Sequence, residues 1–139
     1  SIPTLESNFH EVGNQMRNIG MMLTDFIDNF IKNEYNSYSV NMSNVIKDSD
    51  VNTGRLLHYF PRGEKQIKPG EMWCGWHNDH GALTSLCSAI FFNQKNEVVN
   101  DIIQLPKSGL WIQDRKGEYH KISYAKDSIA FQIGETYQI

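Results

Sequence analysis

The chain has 139 residues, enough for one domain with a core of its own. Thirteen basic against sixteen acidic side chains give a net charge of -3. With no basic run among them, this argues against a nucleic-acid partner. The apolar runs are far too short to span a bilayer, and no charged-then-apolar segment opens the chain, so a cytoplasmic setting without membrane contact is expected.

The first predicted element is a helix over residues 1–33. Leu5, Phe9, Val12, Met16, Ile19, Leu23, Phe26 and Phe30 recur at alternating steps of four and three, which places them on one stripe. Pro3 and Thr4 make a start, with Thr4 as N-cap and Glu6 near the positive end of the dipole. Gly13 and Gly20 each weaken such a helix by up to about 1 kcal/mol. A seam this regular also fits a coiled coil. Met21, Met22, Ile27 and Ile31 broaden the apolar face and favour packing of the stripe on a core.

Residues 34–54 are rich in Asn and Ser and read as a connector, with a short helix around Met42 to Lys47. Arg55 to Phe60 reads as a strand stopped by Pro61, and Arg62 to Gly70 as a turn-rich loop. That loop delivers the chain to Trp73-Cys74-Gly75-Trp76-His77-Asn78-Asp79-His80-Gly81. On extended backbone, residues i and i+2 point to one side, so His77 and Asp79 can aim two ligand atoms at one point. Imidazole with carboxylate suits a divalent first-row metal, and two His with one carboxylate is the set used by non-heme Fe(II) oxygenases. His77 and Asp79 are therefore candidate metal ligands. Cys74-x-x-His77 could instead be half a zinc site, although no second Cys pair exists. Cys74 and Cys87 read as buried free thiols rather than a disulfide framework.

Leu83 to Phe92 reads as a buried strand and Asn93 to Pro106 as a loop, with Val98, Val99, Ile102 and Ile103 unusually apolar for one. Three short strands follow: Leu110 to Asp114, Tyr119 to Ser123 and Ser128 to Ile133, the first two joined by a Lys116-Gly117 turn. Many short strands with glycine-marked turns suggest a sandwich or barrel.

Four of these stretches, in this order, resemble the 2-oxoglutarate- and Fe(II)-dependent oxygenases of the isopenicillin N synthase type. They are Arg55 to Pro61, His77-Asn78-Asp79-His80-Gly81-Ala82-Leu83-Thr84-Ser85-Leu86, Gly109 to Gln113 with Gly117-Glu118-Tyr119, and Asp127 to Glu135. The resemblance covers roughly residues 55–139. It implies an α+β chain, with a long N-terminal helix (1–33) packed on a partial double-stranded β-helix, or jelly roll (55–139), in a single domain. It implies Fe(II) held by His77 and Asp79, and 2-oxoglutarate as cosubstrate with Tyr59 hydrogen-bonding it. It also implies molecular oxygen and a small-molecule substrate as reaction partners. Trp76, His80 and Trp111 are candidate pocket residues. Three departures stand out: Glu135 replaces the usual Asp, Tyr119 the usual Trp, and Tyr59-Phe60-Pro61 carries an extra residue between Tyr and Pro, a register that could put Phe60, which cannot make that bond, in place of Tyr59.

The family's distal His and its Arg-x-Ser have no counterpart in this sequence, which is expected to be a fragment of the fold. Little or no iron binding, no turnover on its own, and self-association through a sheet edge near Phe131 to Ile139 are then expected. Two other readings stay open. One is a metal-free jelly-roll binding module. The other is a metal-dependent hydrolase, since His77-x-Asp79-His80 echoes such enzymes, although Gly75 stands where they carry a further His.

Overall fold

The computed structural model describes residues 2–37, 39, 41–60, 72–99 and 108–137. Over these the chain is α+β. Helices α1 (Leu5–Glu34) and α2 (Met42–Asp48) precede strands β1 (Leu83–Cys87), β2 (Leu110–Gln113), β3 (Tyr119–Ile122) and β4 (Ile129–Ile133). A 3-10 turn, Glu135–Tyr137, follows β4. β1 pairs with β4, and β2 with β3, in two two-stranded sheets. The chain gathers into two compact units, Ser1–Thr84 with Gln132–Ile139, and Ser85–Phe131. No helix among the described residues is long and apolar enough to cross a membrane.

In the first unit α1 runs for 30 residues, as its periodicity predicts. Its buried face is not the predicted one. Leu5, Phe9, Val12, Ile19, Phe26 and Phe30 are exposed, while Gly20, Thr24 and Asp28 are buried. The reason lies in α2, which packs on α1. Gly20 and Thr24 are small enough for a close approach, and the Thr24 hydroxyl is satisfied within its own helix by the carbonyls of Gly20 and Met21, at 3.0 Å each. Asp28, 2% exposed, accepts hydrogen bonds from the backbone N–H groups of Met42 and Ser43, at 2.9 Å each. The Asn41 side chain accepts from Asn44 N at 3.0 Å. Three of the four orphan donors at the start of α2 thus have partners, two of them from a carboxylate on another helix. At the far end of α2 the Arg17 guanidinium donates to the Lys47 carbonyl at 2.8 Å, a cation at the negative end of the dipole.

Thr4 does precede α1, but its side chain makes no capping bond; its carbonyl accepts from Asn8 N and from the Ser7 hydroxyl instead. The predicted strand Arg55 to Phe60 is absent. These residues are exposed and in no ladder, with Leu56 77% and Phe60 68% exposed. Strand preference in a sequence reports packing against a neighbour, and among the described residues no strand pairs with this stretch. Leu56 lines a shallow groove with Ile2, Pro3, Leu5, Glu6 and Phe9. Nearby, Gly54 lies flat on the Phe9 ring, where a Cβ would come within 2.8 Å of Cε1. Pro61, the loop Arg62 to Gly70, and Ile102, Ile103 and Pro106 lie outside the described residues.

In the second unit β2 and β3 form an antiparallel hairpin, with Leu110 opposite Ile122 and Gln113 opposite Tyr119. The predicted strand ends agree to one residue. Asp114 Oδ1 accepts from Lys116 N at 2.8 Å and Glu118 N at 2.9 Å, and Gly117 takes φ of 84° to close the turn. The predicted strand Leu83 to Phe92 stops early, at Cys87. Beyond it, Phe92 bridges Val98 around a turn in which Asn93 Oδ1 accepts from Lys95 N and Glu97 N. This pairing gives the apolar Val98 its place. Cys74 and Cys87 are free thiols, but both are exposed rather than buried.

Candidate metal centre

His77 and Asp79 lie on the extended segment that leads into β1. His77 Nδ1 is 2.8 Å from the Gly75 carbonyl oxygen. A carbonyl can only accept, so Nδ1 carries a proton, and in the neutral form of the ring Nε2 is the nitrogen that presents a lone pair. Nε2 faces Asp79 Oδ1 at 3.3 Å. Two electron-rich atoms at this distance attract only if a proton or a cation lies between them. Two ligands set at right angles and about 2.1 Å from a metal would be about 3.0 Å apart. The spacing of this pair is close to that, and the Nδ1–H bond to a backbone carbonyl is the usual orienting contact of a metal-binding imidazole. The pair therefore fits two adjacent positions of one ion.

Cys74 Sγ sits 3.8 Å from Nδ1, on the opposite edge of the ring from Asp79. With Nδ1 donating to the Gly75 carbonyl, the nitrogen nearest Cys74 has no lone pair to offer a metal shared with that thiol.

His80 points elsewhere. Its Nδ1 lies 2.6 Å from Glu135 Oε2, and Asn78 Nδ2 donates to Glu135 Oε1 at 3.3 Å. The hydrogen bond from His80, aided by that from Asn78, holds the Glu135 carboxyl below its ordinary pKa. Tyr59 is half exposed, with its ring 6.4 Å from that of Trp73, centroid to centroid, and tilted by 54°. Trp76 is exposed and Trp111 half-buried on β2.

Among the described residues one group of three ligand-bearing side chains converges, and the sequence reading missed it. Asp114, Glu118 and His120 place one ligand atom each within 4.8 Å of one another at the β2–β3 turn. His120 Nε2 is 3.0 Å from Asp114 Oδ2, and this contact, followed by the backbone bond from Glu118, lowers the Asp114 pKa. The signal was present in the turn itself. Once Gly117 closes a hairpin, positions 114, 118 and 120 come together across it. Asp114 already accepts from two backbone N–H groups and from His120, so the hairpin accounts for its placement.

Comparison of the chain with models of protein families, with curated proteins and with solved structures finds no match.

Proposed function

We propose that this chain carries two of the iron ligands of a 2-oxoglutarate-dependent non-heme oxygenase, His77 through Nε2 and Asp79 through Oδ1, on a partial jelly roll. The observation that supports this reading is the His77–Asp79 geometry, with Nδ1 held by Gly75 and Nε2 facing the carboxylate at 3.3 Å. With molecular oxygen as the oxidant and 2-oxoglutarate as co-reductant, bound Fe(II) would supply the means to oxidise an unactivated C–H bond of a small molecule. The work of this chain's residues is to present that ion. The imidazole donates a neutral lone pair in a fixed tautomer, and the carboxylate offsets one positive charge and leaves the opposite face open. Tyr59, beside Trp73, is the proposed hydrogen-bond donor to the cosubstrate.

No third ligand joins the pair among the described residues, since His80 is bound to Glu135 and His120 to Asp114. This observation favours a second reading, a metal-free binding module. The hydrolase reading fares less well: it needs His80 at the metal, and a strand rather than a helix follows the motif.

Anaerobic Fe(II) titration by calorimetry, with His77→Ala, Asp79→Ala and Glu118→Ala in parallel, separates these readings. Weak 1:1 binding that is lost in the first two variants and kept in the third is expected. Succinate release from 2-oxoglutarate should stay at background for want of a third ligand. Binding that survives both His77→Ala and Asp79→Ala would refute the assignment, and no binding at all would favour the metal-free module.

A further inference from the structure

The two proposed ligands are held by different means. His77 is oriented locally, by the carbonyl two residues before it. Asp79 is oriented from a distance, by the segment that leaves β4. Gly134 N donates to the Ala82 carbonyl at 3.0 Å, and Glu135 N to the carbonyl of Asp79 itself at 2.7 Å. The Thr136 hydroxyl donates to the His80 carbonyl at 2.7 Å. Glu135 receives Asn78 on one carboxylate oxygen and His80 on the other. Every residue from 78 to 80, and Ala82 after them, is thus bonded to residues 134–136.

Gly134 makes the approach possible. It is buried, and a Cβ there would overlap the Gly81 carbonyl oxygen and lie 2.9 Å from that of Asp79. The first clash is with backbone, which cannot swing aside as a side chain can. Its reason for being glycine is close approach, not left-handed backbone. At its far end the strap is anchored by the Tyr137 hydroxyl, which donates to the Met42 carbonyl at 3.4 Å, and Met42 is buried at the start of α2.

We infer that Gly134–Glu135–Thr136 is a strap that positions Asp79 for the metal, with Gly134 and Thr136 as positioning residues that touch no ligand atom. The inference rests on the metal reading of His77 and Asp79. It assigns residues 55–57 positions away in sequence a share in setting the geometry of that pair.

Co(II) is the probe, because its visible absorption reports coordination geometry independently of turnover. Thr136→Val keeps the shape of the side chain and removes the donor. It should weaken Co(II) binding several-fold and alter the absorption bands, less than the roughly tenfold or greater loss that follows removal of a contact to a ligand itself, because the hydroxyl holds the residue after Asp79. Thr136→Ser, which keeps the hydroxyl, should bind as the wild type does. Gly134→Ala should weaken binding more; if it does not fold, Thr136→Val decides. Wild-type affinity and spectrum in Thr136→Val would overturn the strap, as would equal weakening in Thr136→Ser. A wild-type chain that takes no Co(II), or one whose binding survives His77→Ala and Asp79→Ala, would overturn the metal reading first and the strap with it.

Discussion

Asp28 shows how much one side chain can organise. A carboxylate that is 2% exposed, on the second-last turn of α1, replaces water for two backbone donors of α2. Buried donors left unpaired cost about 1–3 kcal/mol each, so Asp28→Ala should lower stability by about 2–6 kcal/mol. Asp28→Asn keeps one acceptor and turns an amide N–H₂ toward the other donor, so it should fall between. Urea unfolding of the three proteins checks the order. Asp28→Ala at wild-type stability would mean that Met42 and Ser43 find other acceptors. This role could not be read from the sequence. An aspartate on an amphipathic helix is assigned to the wet face, and only the arrival of α2 makes it the buried one. Glu135 offers a similar lesson at the metal loop. His80 was recognised as a candidate, but its partner lies 55 residues away, and no spacing rule connects them.

At the scale of elements, legibility tracks locality. The β2–β3 hairpin was readable because its information is contiguous: two short alternating strands around Asp114 to Glu118, with glycine at the left-handed position. Gly117→Ala should cost roughly 1–2 kcal/mol, the price of a Cβ at positive φ. The space around Gly117 is otherwise open, its nearest neighbour being the Gln113 amide at 3.8 Å. Hydrogen exchange should show the loss confined to residues 110–122, and exchange accelerated evenly over α1 as well would contradict it. The same turn has a pH signature. Asp114 has its pKa lowered by His120 and by the turn N–H groups. The unfolded chain therefore takes up its proton at higher pH than the hairpin does. The contribution to stability is whole above the ordinary carboxylate range and is lost as pH falls through the lowered value. Protection of the Lys116 and Glu118 amides should follow that loss on acidification, and Asp114→Asn, which has no carboxylate to titrate, should flatten it. Arg55 to Phe60 is the counterexample. Its aromatic and branched side chains resemble a strand, but a ladder needs a second strand, and a sequence window contains only one.

For the molecule as a whole, the length of α1, the α+β class and the positions of β2 to β4 followed from periodicity and turn chemistry. The face that α1 buries did not. Hydrophobic spacing marks which residues would gain from burial, whereas Gly20, Thr24 and Asp28 are buried because they allow approach and accept hydrogen bonds. The His77–Asp79 pair stands between these cases, with its spacing legible and its tautomer visible only in the contact with Gly75. If that pair holds a cation, the consequence reaches the stability of the unit that contains it. An ion that binds the folded state alone stabilises it by RT ln(1 + [L]/Kd), about 2.7 kcal/mol at a hundredfold excess over Kd. Co(II) at that level should therefore raise the melting temperature of the wild-type chain. The rise should be absent in His77→Ala and Asp79→Ala and retained in Glu118→Ala, which disrupts only the hairpin cluster. A shift that vanishes in Glu118→Ala and persists in Asp79→Ala would move the cation to the β2–β3 turn.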